Sequence, residues 1–254
     1  MKITQFLPNV FGLYKPAGQT PLQALFELKK QKPELRSTPL TYAGRLDPMA
    51  EGLLLVLAGE AVHEKDAFLG LDKEYRVIAL LGVQTDSFDL LGIPKATLSY
   101  PMLEDEKIRQ SLQSYVGETS LPLPIYSSPP YKGKPLHVWA QEKSIRTEDA
   151  PQRQTNIYSI TEIALTELPA IDILKHITST IPEIEGSFRQ DEIINAWHEL
   201  LARDPHKLIQ TASFTVRCSS GTYIRSLVNE IGKKLGTGSC VYTLVRTKIG
   251  EYPI

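Results

Sequence analysis

The chain has 254 residues, 42% of them hydrophobic and 22% charged, with a net charge of −1. That is ample chain for a substantial core in an ordinary globular protein. No apolar run approaches the roughly 18 residues of a membrane span, and the start, Met1-Lys2-Ile3-Thr4-Gln5, lacks the apolar stretch of a secretory signal, so a cytoplasmic protein with no membrane partner is expected. Cys218 and Cys240 are far apart and have no CxxC partner, and the five histidines are scattered without HExxH spacing. Neither a disulfide framework nor a metal site is expected. The near-neutral charge gives no bulk attraction for nucleic acid, although a local basic cleft remains compatible with it.

In chain order, Phe11 to Tyr14 reads as a short strand, followed by the turn Lys15-Pro16-Ala17-Gly18. Thr20 is an N-cap with Pro21 at the first helical position, and the apolar spacing of Leu22, Leu25, Phe26 and Leu28 carries a helix to about Lys32. A loop from Pro33 to Pro39 leads to a second turn. Leu53 to Leu57 reads as a buried strand, and Glu74 to Gly82 as another. Thr85 to Gly92 is polar and reads as a loop. Glu104 to Val116 has helical spacing and stops at Gly117. The proline-rich stretch Leu121 to Gly133 should be extended, and strand-like residues resume from Ile157 to Leu168. Ile171 to Gln210 is acid-rich, broken by Pro182 and Pro205, and reads as an inserted helical excursion within a single unit. Ser213 to Cys218 alternates as a strand, Thr222 to Leu235 is an amphipathic helix closed by Gly236, and a last strand covers Val241 to Val245. Strands and helices mix without regular βαβ alternation, which predicts an α+β fold with a mixed, mostly antiparallel sheet. The glycine-spaced segment Gly232 to Gly238 closes a helix, where a phosphate cradle would open one.

The stretch Tyr42-Ala43-Gly44-Arg45-Leu46-Asp47-Pro48-Met49-Ala50-Glu51-Gly52 is the most informative. Pro48 pushes Asp47 toward an extended or turn conformation, and a buried strand follows at once. A carboxylate held on a short stiff loop beside a guanidinium suits a nucleophile or general base. Local chemistry alone favours an ordinary Asp-Pro turn with a surface Asp-Arg pair.

Four separated segments together resemble the bacterial tRNA pseudouridine synthase B family. They are Leu13-Tyr14-Lys15-Pro16-Ala17-Gly18-Gln19-Thr20; the Gly44 to Leu54 turn with Gly59-Glu60-Ala61; Lys73-Glu74-Tyr75-Arg76-Val77 with Leu81-Gly82 and Thr85-Asp86-Ser87-Phe88-Asp89; and Cys218-Ser219-Ser220-Gly221-Thr222-Tyr223-Ile224-Arg225-Ser226-Leu227. A weaker match is Tyr126-Ser127 leading to Gly133-Lys134. The resemblance implies a pseudouridine synthase fold with the catalytic loop in a cleft, and isomerisation of the T-loop uridine at position 55 of tRNA without cofactor or metal. It makes Asp47 the catalytic carboxylate, attacking C1′ or C6 or deprotonating C2′. It makes Arg225 the partner that aims Asp47, Tyr75 the stacking face for a flipped-out base, and Tyr223 and Leu244 the lining of the uracil pocket. Lys15 supports the catalytic loop or a phosphate.

The chain departs from the family at several positions. Tyr42 stands where the family has a histidine that meets the flipped-out RNA, and Arg45 where it has Ser or Thr. Tyr14 replaces an Asp, and Pro130 a Lys. Arg45 is assigned to a phosphate or to the Asp47 loop. The family continues into a small C-terminal RNA-binding module, so residues 1–254 are expected to form one minimal catalytic domain, monomeric, with the tRNA T arm as partner. Two other readings stand beside this one. The triplet Arg45-Leu46-Asp47 resembles the ribosomal pseudouridine synthases, giving the same chemistry on another RNA. The missing family histidine and lysine suit a non-catalytic tRNA-folding helper.

Overall fold

Turn chemistry sets the first elements. In the computed structural model, which describes residues 2–96 and 102–254, strand β1 (Ile3–Leu7) turns through Asn9, in the left-handed region at φ 62°, into β2 (Val10–Lys15). Helix α1 (Pro21–Gln31) opens on a full capping box: Thr20 Oγ1 accepts from Gln23 N at 3.2 Å while Gln23 Oε1 accepts from Thr20 N at 2.6 Å. β3 (Leu40–Ala43) and β4 (Glu51–Ala58) then pair antiparallel across the Asp47 turn. Next come α2 (Lys65–Leu69), β5 (Lys73–Leu81), the small hairpin β6 (Val83–Thr85) with β7 (Pro94–Ala96), α3 (Asp105–Gln113) and β8 (Gly117–Pro122). A two-residue ladder of β9 (Pro130–Tyr131) and β10 (Lys134–Pro135) precedes α4 (Leu136–Gln141). The long strand β11 (Gln152–Pro169) leads to α5 (Ala170–Thr180), α6 (Gln190–Leu201) and β12 (Leu208–Cys218). The chain closes with α7 (Ile224–Leu235), β13 (Ser239–Ile249) and β14 (Tyr252–Pro253).

One ten-stranded sheet runs through these elements in the order β1-β2-β4-β13-β5-β12-β11-β8, with β3 on β4 and β14 on β13. Every pair is antiparallel except β4–β13, which meets through Val245↔Glu51 and Arg246↔Gly52. The pleat sorts side chains to the two faces. Val77, Ala79, Phe214 and Val216 pack against Ile224, Leu227, Val228 and Ile231 of α7. Leu80, Ile209 and Cys240 face the other way, onto α5 and α6 around the fully buried Trp197. β4 is covered on both faces: Leu54 and Val56 by α1, and Leu53, Leu55 and Leu57 by Val10, Phe68 and Ile249. This double burial is why its sequence is a continuous apolar run without alternation.

The helical excursion is an α-hairpin set into the β11–β12 connection, whose ends meet at Pro169↔Leu208. Its bounds differ slightly from the expected 171–210, because β12 extends back to Leu208. The expected extended stretch Leu121 to Gly133 begins inside β8 and ends in the β9–β10 ladder. β1, β3 and α4 have no counterpart in the sequence-based reading. Each is short and gains its stability from partners elsewhere in the chain. Among the described residues, no helix is long and apolar enough to cross a membrane.

Gly232 lies inside α7, where a Cβ would sit 2.2 Å from Ser239 N and 2.4 Å from Gly238 C. At an open helix site Gly→Ala stabilises by about 1 kcal/mol, but this helix crosses the start of β13 too closely for a methyl group. Gly232→Ala is therefore expected to lower the unfolding free energy by roughly 1–3 kcal/mol in urea titration. A gain in stability would show that the helix–strand approach is looser than described.

Candidate active site

The turn between β3 and β4 is fixed from behind by buried cations. Lys15, wholly buried, donates from Nζ to the carbonyls of Pro16 at 2.9 Å, Gln19 at 2.7 Å and Pro48 at 3.3 Å. Gly18 N–H adds a bond to Pro48 O at 3.0 Å. Arg246, on β13, donates from Nε to Leu53 O at 2.8 Å, from Nη1 to Arg45 O at 3.1 Å and from Nη2 to Gly44 O at 3.1 Å. Gly44 takes φ +85° beside that guanidinium. At Gly52, φ +106°, a Cβ would stand 2.4 Å from Arg246 O, so only glycine lets β4 and β13 close in parallel here. Buried carbonyls require donors, and of the six bonds these two cations donate, four reach the backbone on either side of Asp47, at Gly44, Arg45, Pro48 and Leu53.

Arg225, on the first turn of α7, sets the carboxylate. Its Nε donates to Asp47 Oδ2 at 2.7 Å and its Nη2 to Asp47 Oδ1 at 3.0 Å, a bidentate pair. Nη1 donates to Ser87 O at 2.7 Å and Nη2 also to Tyr126 O at 3.3 Å. The Arg225 side chain is 4% exposed and that of Asp47 35%, so the cation is buried while its carboxylate partner opens to solvent. A second carboxylate, Asp89, lies with Oδ2 3.8 Å from Arg225 Nε and accepts from Ser87 Oγ at 2.5 Å and Leu91 N at 3.1 Å. Burial pushes Asp89 up to about 6, against the pull of Arg225.

Asp47 faces a cleft of about 930 Å³. Six of the residues singled out from the sequence come together along it: Asp47, Tyr75, Tyr223, Leu244, Tyr42 and Arg45. Tyr75 is buried, with its phenol raised to about 12 by desolvation, and Arg246 lies beside its hydroxyl. Burial also raises Tyr223. Both rings are therefore neutral near pH 7. Tyr42 is half-buried on β3 with the Lys65 ammonium 5.8 Å from its ring centre. Arg45 is exposed, and its Nη1 donates to Ser128 Oγ at 2.7 Å, tying the turn to the proline-rich segment opposite. Arg225 itself does not line the cleft; it is buried behind Asp47.

Lys15 stands apart from these six. It does not reach the cleft; its ammonium is saturated by three carbonyls behind the loop, and burial lowers it from the usual 10.5 to about 7. Of its two expected roles, loop support fits the geometry and phosphate contact does not. Tyr14 does not line the cleft; its hydroxyl donates to Glu51 Oε2 at 2.9 Å, and Pro130 is exposed in the β9–β10 ladder.

Sequence reasoning missed Arg246, Asp89 and Lys73. The available signal for Arg246 was an arginine directly after the apolar pair Leu244-Val245 of the last long strand. For Asp89 it was a carboxylate between Phe88 and Leu90, both fully buried. Lys73 donates to Leu69 O at 2.7 Å, Leu71 O at 2.5 Å and Ser220 Oγ at 3.0 Å at the cleft wall, and burial lowers it to about 8. Among the described residues, no cluster of three or more His, Cys, Asp or Glu is placed to hold a metal ion.

The raised Asp89 gives a stability signature. A carboxyl at about 6 in the folded chain and near 3.8 when unfolded binds more proton when folded between those values. Its contribution to stability is therefore present below about pH 4 and is lost as pH rises through 6. Relative to Asp89→Asn, the wild type should lose on the order of 1–3 kcal/mol between pH 4 and 7, measured by urea unfolding across that range. Parallel pH curves for the two proteins would contradict the buried, proton-accepting environment described here.

A family model, TruB family pseudouridylate synthase (N terminal domain), matches residues 32–180, which include the Asp47 turn and Asp89. The chain is 31% identical over 252 residues to tRNA pseudouridine synthase B of Bordetella avium, covering 98% of this chain and 84% of that protein. It is 30% identical over 245 residues to that of Blochmanniella floridana, covering 96% and 78%. Among solved structures, a Cbf5-Nop10-Gar1 complex aligns with TM-score 0.56 at 22% identity. An H/ACA RNP bound to a substrate RNA containing 2′-deoxyuridine aligns with TM-score 0.55 at 21% identity. Each alignment covers 96% of this chain, which spans about half the length of those solved chains, 49% and 48%. At that identity the likeness shows the pseudouridine synthase fold. The chain belongs to the TruB family of pseudouridylate synthases and is an isomerase of that class.

Proposed function

We propose that the chain converts a uridine in the T arm of tRNA, at position 55, to pseudouridine, with Asp47 acting on the flipped-out nucleotide. The observation that carries the reading is the bidentate Asp47–Arg225 pair at the cleft wall, with Tyr75 on the same surface. Its support as a tRNA enzyme is that relatives covering nearly the whole chain are named tRNA pseudouridine synthase B.

The reaction breaks the N1–C1′ bond, turns the uracil and joins C5 to C1′; the C5 proton is lost to solvent and N1 takes one up, so the product is an isomer and there is no net redox change. Arg225 engages both oxygens of Asp47 from the protein side. That fixes the carboxylate plane and leaves its outer face to the ribose and uracil, so no reorganisation is needed when the nucleotide arrives. Tyr75 offers a flat neutral face, and base stacking on such a ring contributes about 1–3 kcal/mol toward holding the extruded uracil. Leu244 and Tyr223 complete an apolar slot. Arg45 stands at the rim, on the route of the RNA backbone. The net charge of −1 leaves affinity to local contacts and to the shape of a splayed loop.

The test is to incubate unmodified tRNA transcripts and ribosomal RNA fragments with the protein and map pseudouridine by carbodiimide treatment and primer extension. One stop at the T-loop uridine, abolished when that uridine is replaced by cytidine, is the expected result. Stops confined to ribosomal fragments would move the same chemistry to another RNA. Binding of tRNA without any stop would support the folding-helper reading.

A further inference from the structure

The α5–α6 hairpin grips the two segments that hold Arg225. Ser87, whose carbonyl takes the 2.7 Å bond from Arg225 Nη1, lies in the loop between β6 and β7, as does Asp89. That loop is anchored from the hairpin. Trp197 of α6 donates from Nε1 to Leu90 O at 3.2 Å and Gly92 O at 3.0 Å. Arg189, which precedes α6, donates from Nη1 to Asp86 Oδ2 at 2.9 Å and from Nη2 to Asp86 Oδ1 at 3.3 Å. Asp86 Oδ1 also accepts from Ile93 N at 2.9 Å, so the arginine sits on the carboxylate that closes the loop. The same guanidinium carbon lies 4.4 Å from the centre of the Tyr126 ring, and Tyr126 O is the other carbonyl bonded to Arg225. Arg189 thus touches both backbone segments that Arg225 uses to fix its angle. It does so from the left-handed region, φ 62°, which a residue with a Cβ adopts only when its surroundings hold it there. The residues just before it, Ser187 and Phe188, line the cleft.

We propose that the α5–α6 hairpin is a brace for the catalytic pair and that Arg189 is its positioning residue, acting through Asp86 and Tyr126 on Arg225 and so on Asp47. This rests on the reading of Asp47 as the reacting carboxylate. Trp197 is buried and serves the core as well, so its replacement would not separate bracing from folding. Arg189 and Asp86 are partly exposed, 30% and 17% at the side chain, and an ion pair of that kind adds little to global stability. Their effect should fall on the geometry of Arg225.

The experiment compares Arg189→Met, Arg189→Lys and Asp86→Asn in the full chain, each first shown to be folded by circular dichroism. With T-arm uridine labelled at C5, Arg189→Met should lower the single-turnover rate roughly ten-fold while the tRNA Kd stays within about two-fold. Arg189→Lys should recover part of the loss. Asp86→Asn should lose a similar amount, with the double variant no worse than the poorer single one. A second readout needs no substrate: the Arg225 Nε–H signal in ¹⁵N NMR should exchange with water roughly ten-fold faster in Arg189→Met. An unchanged rate with unchanged exchange would overturn the brace. A fall in affinity matching the fall in rate would make the hairpin an RNA contact instead. If the wild type releases no label, the reading of Asp47 fails, and the exchange measurement still decides whether Arg189 holds Arg225.

Discussion

A single guanidinium organises this site. Arg225 spends its donors on Asp47, on the β6–β7 loop and on the proline-rich segment, three stretches of chain that share no local sequence. A buried cation left unpaired costs several kcal/mol, so the folded state closes only with the carboxylate and both carbonyls in place. Desolvation thus converts the stability of α7 into the aim of Asp47. The arrangement is one-sided: the arginine is in the interior, and the carboxylate opens to the cleft.

Lys15 and Arg246 extend the same principle to the backbone. Four of their donated bonds hold a turn that would otherwise bury carbonyls without partners. Gly52 permits the close β4–β13 contact that delivers Arg246 to the turn. Under the proposed function, rigidity is what Asp47 needs, because an error of about 1 Å at a reacting atom costs on the order of 100-fold in rate.

Much of this was legible in the sequence where a residue carries its own instruction. Thr20 and Pro21 announce α1, Gly236 ends α7 in the left-handed region at φ 77°, and Pro48 with Gly44 and Gly52 marks the Asp47 turn. The apolar run of β4 could be read as buried, though not as buried on both faces. What the sequence hid depends on meetings across the chain. Arg246 is separated from the turn it holds by some two hundred residues. Asp89 becomes a buried carboxylate only once Arg225 arrives beside it. β1, β3 and α4 are too short for periodicity to show. Lys15 was named for the right motif, yet only its neighbours decide that it faces inward. The helical excursion was recognisable from its spacing and prolines, but its grip on Asp86 and Tyr126 rests on a single arginine with no local pattern.

Under the proposed function, Asp47 performs the chemistry in a site that Arg225 has already shaped. Tritium release from unmodified tRNA transcripts carrying [5-³H]uridine, compared between wild type and Asp47→Asn, tests this most directly. The asparagine keeps the size of the side chain but removes its charge. Release by the wild type alone, with the variant still binding tRNA, is the expected result. Release by both at similar rates would show that the reaction does not depend on the Asp47 carboxylate and would contradict the account.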